Sequence, residues 1–314
     1  KLEGRSCTPF SRPISPAMAV TTWPFTPRGC ASYASDGELN FEDEVTLRVS
    51  DGVAIVTFIA TSGEFPWGTK REEHRWNPVL LRAFGRALDI VEERSEVEVL
   101  VVANEGRFWS NGMDLKFMDA HQGPTLKDHG AKVNALLARV CCFPLPTVAA
   151  LGGHWCALGG MMGLAFDYRI MASDRGFFFV PGVDLGLVYA LVQVELMKAK
   201  LPADMHREVI LFNSRRWSGA DMLQRGAVET AVAAPEVLPR ALALAAVLRP
   251  KGRGPARLAL GGIKRVMYRQ VLDALDSWVD MGYGGRTRGV DRAPPPLEGA
   301  ASEGELRAGA RSKL

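Results

Sequence analysis

Phe108-Trp109-Ser110-Asn111-Gly112-Met113-Asp114-Leu115 follows an apolar strand, Val97 to Ala103, and turns at Asn111-Gly112 into a helix start with Asp114 in its first turn. A second stretch, Gly152-Gly153-His154 through Asp167, follows another apolar strand, Thr147 to Leu151, and runs through Gly159-Gly160 into an apolar helix. Strand-to-helix turns aim backbone N–H groups forward. Two of them directed at one point hold an oxygen that becomes negative during a reaction. An Asn-Gly pair alone is merely a turn, and paired glycines alone serve helix packing. The weight lies in both occurring, each after its own apolar strand.

Outward from these turns the pattern alternates. Val45 to Val49 and Val53 to Phe58 read as strands joined by a tight turn at Asp51-Gly52. Asn77 to Glu93 carries Leu80, Leu81, Phe84, Leu88 and Val91 at helical spacing, with Asn77 as cap and Pro78 in the first turn. Leu126 to Phe143 is a second helix, ended by Pro144 and Pro146, and Tyr168 to Ala172 and Phe177 to Val180 are further strands. Repeated strand, helix, strand implies right-handed crossovers and a largely parallel α/β sheet. From Gln193 the chain turns mostly helical, through Ala203 to Phe212, Ala220 to Arg225, Pro235 to Leu248 and Arg257 to Trp278.

Composition sets outer limits. The 314 residues are 47% hydrophobic and 23% charged, as in an ordinary globular protein. A net charge of +3 gives no electrostatic argument for nucleic acid or a membrane surface. No apolar run is long enough to span a bilayer. The five cysteines, Cys7, Cys30, Cys141, Cys142 and Cys156, have no zinc spacing and read as reduced thiols. Neither a phosphate-binding loop nor a dinucleotide fingerprint is present, so no cofactor is expected.

Ser110 to Leu115, together with Pro146-Thr147-Val148-Ala149-Ala150-Leu151-Gly152-Gly153-His154, resembles the crotonase superfamily of enoyl-CoA hydratases and isomerases, most of all the plant-type peroxisomal Δ3,Δ2-enoyl-CoA isomerases. The resemblance covers about residues 45 to 275. It implies a crotonase-like ββα spiral core over 41–200 and a C-terminal helical region over 201–283 that builds a homo-oligomer, a trimer or hexamer. Residues 1–40 read as a disordered or non-native extension, Met18 being an alternative start, and 284–314 as a flexible tail. That tail carries Ser312-Lys313-Leu314, the form of a peroxisomal address read by an import receptor.

The resemblance also implies an acyl-CoA substrate, with CoA part of the substrate and no separate cofactor. Its oxyanion donors fall on the backbone N–H groups of Met113 and Leu158, and its substrate-binding positions on Ser110, Asn111, Gly112, Asp114, Leu115, His154 and Met161. Lys116 and Arg107 flank the first turn, as a CoA-phosphate contact or a solvated basic edge. An isomerase of this kind takes a proton from C2 of a 3-enoyl thioester, holds the enolate and returns the proton to C4, for which it needs one base. Hydratases of the family use two glutamates. Here the first glutamate falls on Met161, the second on Gly182, and a third position used by some isomerases on Ala190. None is a carboxylate. That argues against two-glutamate hydration and leaves Asp184 as replacement base or as a turn residue, since residues two apart on an extended segment share a face, while Glu195 reads as a helix-surface residue and His154 as a packed, hydrogen-bonded histidine or one that reaches the thioester. The readings that remain are an isomerase with a relocated base, an acyl-CoA-binding pseudoenzyme, and another crotonase chemistry such as thioester hydrolysis.

Overall fold

The structure, a computed structural model, describes residues 32–33, 37–121, 123–213 and 215–276. The expected tail with Ser312-Lys313-Leu314, together with Cys7, Met18 and Cys30, lies outside the described residues.

In chain order the strands are β1 (Ser32–Tyr33), β2 (Leu39–Phe41), β3 (Val45–Ser50), β4 (Val53–Phe58), β5 (Val99–Asn104), β6 (Phe108–Ser110), β7 (Thr147–Leu151), β8 (His154–Cys156), β9 (Tyr168–Ala172), β10 (Phe178–Phe179) and β11 (Thr230–Val232). The helices are α1 (Pro78–Glu93), α2 (Leu115–Ala120), α3 (Pro124–Cys141), α4 (Leu158–Ala165), α5 (Leu191–Lys200), α6 (Ala203–His206), α7 (Gly219–Gln224), α8 (Ala234–Leu248), α9 (Gly254–Met267) and α10 (Arg269–Asp276). Eight strands form one sheet in the order β1-β2-β3-β4-β5-β7-β9-β11, and β6, β8 and β10 form a second, with β8 in the middle. The pairs from β1 to β4 are antiparallel; all pairs from β4 onward, and both pairs of the small sheet, are parallel. Each passage β5-β6-helix, β7-β8-helix, β9-β10 is one ββα turn of the expected spiral.

Local chemistry accounts for these elements. Asp51 and Gly52 both take positive φ, 48° and 73°, which lets a two-residue turn join β3 to β4 with Ser50 opposite Val53. Asn77 caps α1 by accepting from the N–H groups of Val79 and Leu80, and Pro78 opens the helix. The runs that read as unbroken apolar sequence are strands covered on both faces. Ala54, Val56, Leu100, Val102, Ala149, Leu151 and Met171 face the core under α1, α3 and α4. Their neighbours Val53, Ile55, Val99, Val101, Val148, Ala150 and Ile170 pack against Val237, Ala241 and Ala245 of α8.

Three differences from the sequence reading have physical reasons. β2 starts at Leu39, inside the segment read as an extension, because Leu39 and Phe41 pair with β3 and are buried. β11 falls between two expected helices in the mostly helical end, where no strand is expected; its three half-buried residues gain their strand character from β9 beside them. The expected helix Arg257 to Trp278 breaks at Tyr268 into α9 and α10.

The helical end docks through a buried ion pair. Lys264 Nζ donates to the carbonyls of Phe143 (3.0 Å) and Leu145 (2.8 Å) and pairs with Asp167 at 2.5 Å. Asp167 also accepts from the Thr147 N–H and hydroxyl, tying α9 to the start of β7. On the far side of α9, Leu258 and Val266 are each 79% exposed. Truncating one partner of a buried pair strands the other charge, so Lys264→Ala is expected to cost about 3–5 kcal/mol, read as a lower midpoint in urea unfolding.

Candidate active site

The first turn is splinted by the segment that leads into α1. Trp76 N–H donates to the Gly112 carbonyl (2.8 Å) and Asn111 N–H to the Glu73 carbonyl (2.9 Å). Arg75 Nη1 donates to the carbonyls of Asn111 (3.0 Å) and Met113 (3.2 Å), while its Nε pairs with Glu73. Ser110 Oγ donates to the His74 carbonyl and accepts from Gly112 N–H. With Gly112 and Asp114 taken up by Trp76 on one edge, the Met113 N–H is turned to the other. Below lies an aromatic floor, Phe58 meeting Trp76, Phe84 and Trp109 edge-on at 5.3–5.9 Å between centroids.

Asp114 caps α2 rather than standing inside its first turn. Its fully buried carboxylate accepts from Phe117 N–H (3.0 Å), Thr69 Oγ1 (2.6 Å), Trp67 Nε1 (2.7 Å) and Asn77 Nδ2 (3.2 Å). Every lone-pair direction is taken, so it holds the turn from behind.

The second turn leaves β8 at Cys156. Ala157 sits at φ 50°, ψ −123°, a conformation rare for a side-chain-bearing residue, and its N–H is held by the Phe179 carbonyl at 2.8 Å. Leu158 is then the first residue of α4, so its N–H has no acceptor within the helix. The two turns touch. Gly112, at φ 82°, faces the second turn so closely that a Cβ would lie 2.8 Å from Ala157 Cβ and 3.4 Å from the Leu158 nitrogen. Only glycine serves there, for the angle and for the space.

A half-open pocket starts at these two turns. Met113, Leu115, Leu158, Met161 and Gly182 all line it. Ser110, Asn111, Gly112 and Asp114, expected at the substrate, are not among the lining residues; their hydrogen bonds hold the first turn instead. His154 lies elsewhere: its ring packs between Phe108 and Phe177, and burial, then Arg107 and Arg216, lower its pKa. Asp184 is exposed at the tip of the turn after Gly182, outside the pocket lining, with its carboxylate on the Asn213 amide. No carboxylate is among the lining residues.

The lining residues that sequence reasoning missed include Met118, Leu185, Val188, Tyr189 and Gln193. Gln193 is occupied with Asn134 (3.0 Å) and the Ala190 N–H (3.2 Å). Tyr189 accepts from Gly182 N–H at 2.5 Å and donates to the Val180 carbonyl at 3.0 Å. A Cβ on Gly182 would fall 2.1 Å from that phenol oxygen. The signal was present in the sequence: a glycine in place of a long side chain leaves space, and a tyrosine seven residues on can fill it.

A ββα spiral whose two strand-to-helix turns meet beside an apolar pocket is the architecture of a crotonase-type protein. The chain matches the enoyl-CoA hydratase/isomerase family over residues 76–276, and it belongs to that family. It is 30% identical over 167 residues, 52% of this chain and 70% of the relative, to enoyl-CoA delta isomerase 3 of Arabidopsis thaliana. Peroxisomal enoyl-CoA delta isomerase 1 of the same plant is 28% identical over 64% of this chain and 83% of its own. A mitochondrial enoyl-CoA hydratase domain-containing protein 2 of Mus musculus is 27% identical over 91% of this chain and 94% of its own. Among solved structures, an apo enoyl-CoA isomerase of Mycobacterium tuberculosis superposes with a TM-score of 0.64 at 22% identity, covering 75% of this chain and 96% of that one. This last likeness bears on the fold.

An Asp114→Asn substitution turns an amide NH2 toward donors that had a carboxylate oxygen. The expected loss is about 3 kcal/mol of stability in urea unfolding. Unchanged stability with weaker acyl-CoA binding would instead make Asp114 a substrate contact.

Proposed function

We propose that the pocket binds the acyl chain and thioester of an enoyl-CoA, that the N–H groups of Met113 and Leu158 hold the thioester oxygen, and that the reaction is Δ3,Δ2-enoyl-CoA isomerisation. The observation carrying this reading is the contact of the two turns at the head of an apolar pocket. An enolate oxygen gains charge as the C2 proton leaves, and a preorganised donor there typically contributes about 10²–10³ in rate. Apolar lining suits an acyl chain and leaves a saturated or mono-unsaturated tail without unmet hydrogen bonds. Met161 and Gly182 supply no carboxylate to orient water, which sets hydration aside. A second reading rests on the same lining: without a carboxylate the pocket is that of an acyl-CoA binder that has lost proton transfer.

Purified protein is assayed with a 3-enoyl-CoA for formation of the conjugated 2-enoyl thioester, beside calorimetric binding of a saturated acyl-CoA. Turnover supports the isomerase; binding without turnover supports the binder. Asp184→Asn is expected to retain the rate within about twofold, because its carboxylate points out to Asn213. Abolished turnover in that variant would assign the proton shuttle to Asp184.

Location and assembly complete the proposal. Ser312-Lys313-Leu314 reads as an address for the peroxisomal import receptor, a reading supported by the peroxisomal names of two plant relatives. The exposed apolar residues of α9, with Leu258, Ile263, Val266 and Met267 each more than 60% exposed, suit a homo-oligomer in which they are covered. Leu258→Glu with Val266→Glu is expected to yield monomers in size-exclusion chromatography with light scattering. An unchanged mass would place any assembly on another face.

A further inference from the structure

We propose that Tyr189 is the proton carrier of this pocket, its phenol oxygen standing where the side chain of residue 182 would otherwise project. The proposal deepens the isomerase reading and rests on it. Three observations place the group. Tyr189 lines the pocket that begins at Met113 and Leu158. Its oxygen lies 2.1 Å from the position of a Cβ on Gly182, so the two side chains exclude one another. Gly182 N–H donates to that oxygen at 2.5 Å and remains in place as a donor when the phenol gives up the proton that it otherwise donates to the Val180 carbonyl at 3.0 Å.

The cycle balances without a co-reactant. The phenolate takes the C2 proton; the C2–H bond breaks, an O–H bond forms, and the electron pair moves through C1 onto the thioester oxygen held by Met113 and Leu158. Tyr189 then gives that proton to C4. The C4–H bond forms, the double bond settles between C2 and C3, the carbonyl reforms, and the phenolate returns.

Burial pushes the Tyr189 phenol up to about 12, the Gly182 N–H opposes this, and Asp184 adds to it. The residues that face the same pocket from α2 and α4 (Leu115, Met118, Leu158, Met161) and Gln193 of α5 are uncharged, so Asp184 on its own loop is the charged group that acts on it. Near neutral pH the phenolate is therefore a minor form that increases about tenfold per pH unit. What it lacks in population it offsets in part by being a stronger base than a carboxylate. A glutamate base gives the contrary profile, flat through the same range.

The test measures 3-enoyl-CoA isomerisation by the full-length protein between pH 7 and 10, corrected for the uncatalysed rate, for the unmodified chain, Tyr189→Phe, and Gly182→Glu combined with Tyr189→Ala. Binding of a saturated acyl-CoA is followed by calorimetry on each. Expected are a rate rising about tenfold per pH unit and a fall of at least about 10²-fold in Tyr189→Phe, with acyl-CoA affinity kept within about twofold. The double variant, with a carboxylate restored and its space cleared, should turn over with a rate flat above neutral pH. A pH-independent rate in the unmodified chain, or full activity in Tyr189→Phe, overturns the role of Tyr189 and leaves the isomerase standing. Acyl-CoA binding with no turnover at any pH overturns both. Should Tyr189→Phe fail to fold, the slope of the unmodified chain decides the matter alone.

Discussion

The contact between Gly112 and the Ala157–Leu158 peptide is the constraint on which the rest of this protein turns. Two backbone N–H groups serve one oxygen only if their turns come within a few ångströms, and here the approach leaves no room for a single methyl group at residue 112. The fold is arranged to hold that approach. β6 and β8 are adjacent parallel strands of the small sheet, so their turns leave side by side in the same direction. The large sheet behind them fixes where β5 and β7 end. Strain at Ala157 is tolerated because the surroundings over-determine it: its N–H is held by Phe179, and α4 starts one residue on.

Around that contact, buried polar groups act as struts rather than as reagents. Asp114 and Ser110 of the first turn, and Glu73, Arg75 and Asn77 that the fold brings beside it, are each engaged in hydrogen bonds that hold the turn in place. Arg75 is the most telling of these. Its guanidinium clamps the carbonyls on either side of Gly112, which leaves the Met113 N–H one direction in which to point. Preorganisation of this kind costs nothing at the moment of reaction, because the donors are already oriented when charge develops.

The parts of the fold that were legible in the sequence are those with strong local periods. The Asp51-Gly52 hairpin, the Asn77 cap, and β7 and β9 at their full lengths follow from turn chemistry, capping and apolar runs. What escaped were the three-residue strands β6, β8 and β11, too short to show a period and made strands by their neighbours, whereas β10 falls within the expected strand Phe177 to Val180. The two strand-to-helix turns were legible because such turns announce themselves in glycine and asparagine. The role of the segment from Gly182 to Tyr189 was not. Alternation along an extended segment favoured Asp184, but the segment is coiled: Leu185 N–H returns to the carbonyls of Pro181 and Gly182, and Leu187 N–H to Gly182. Asp184 is thereby thrown outward, and Tyr189 is brought back over the glycine.

This division follows from where each catalytic element is built. The proposed oxyanion donors belong to strand-to-helix junctions sealed in the core, with Trp109, Trp155 and Phe178 fully buried beside them. Moving either junction would disturb both sheets. The proposed proton-transfer position belongs to a loop whose side chains Val183, Leu185 and Val188 are 46–57% exposed in the single chain, and such a segment accepts change at small cost to stability. Enolate stabilisation and proton transfer each contribute on the order of 10²–10⁴ in rate, and neither depends on the other for its geometry. On the proposed reading a chain can therefore keep the first intact while the second is exchanged, with Gly182 carrying no carboxylate and Tyr189 filling the space beside it.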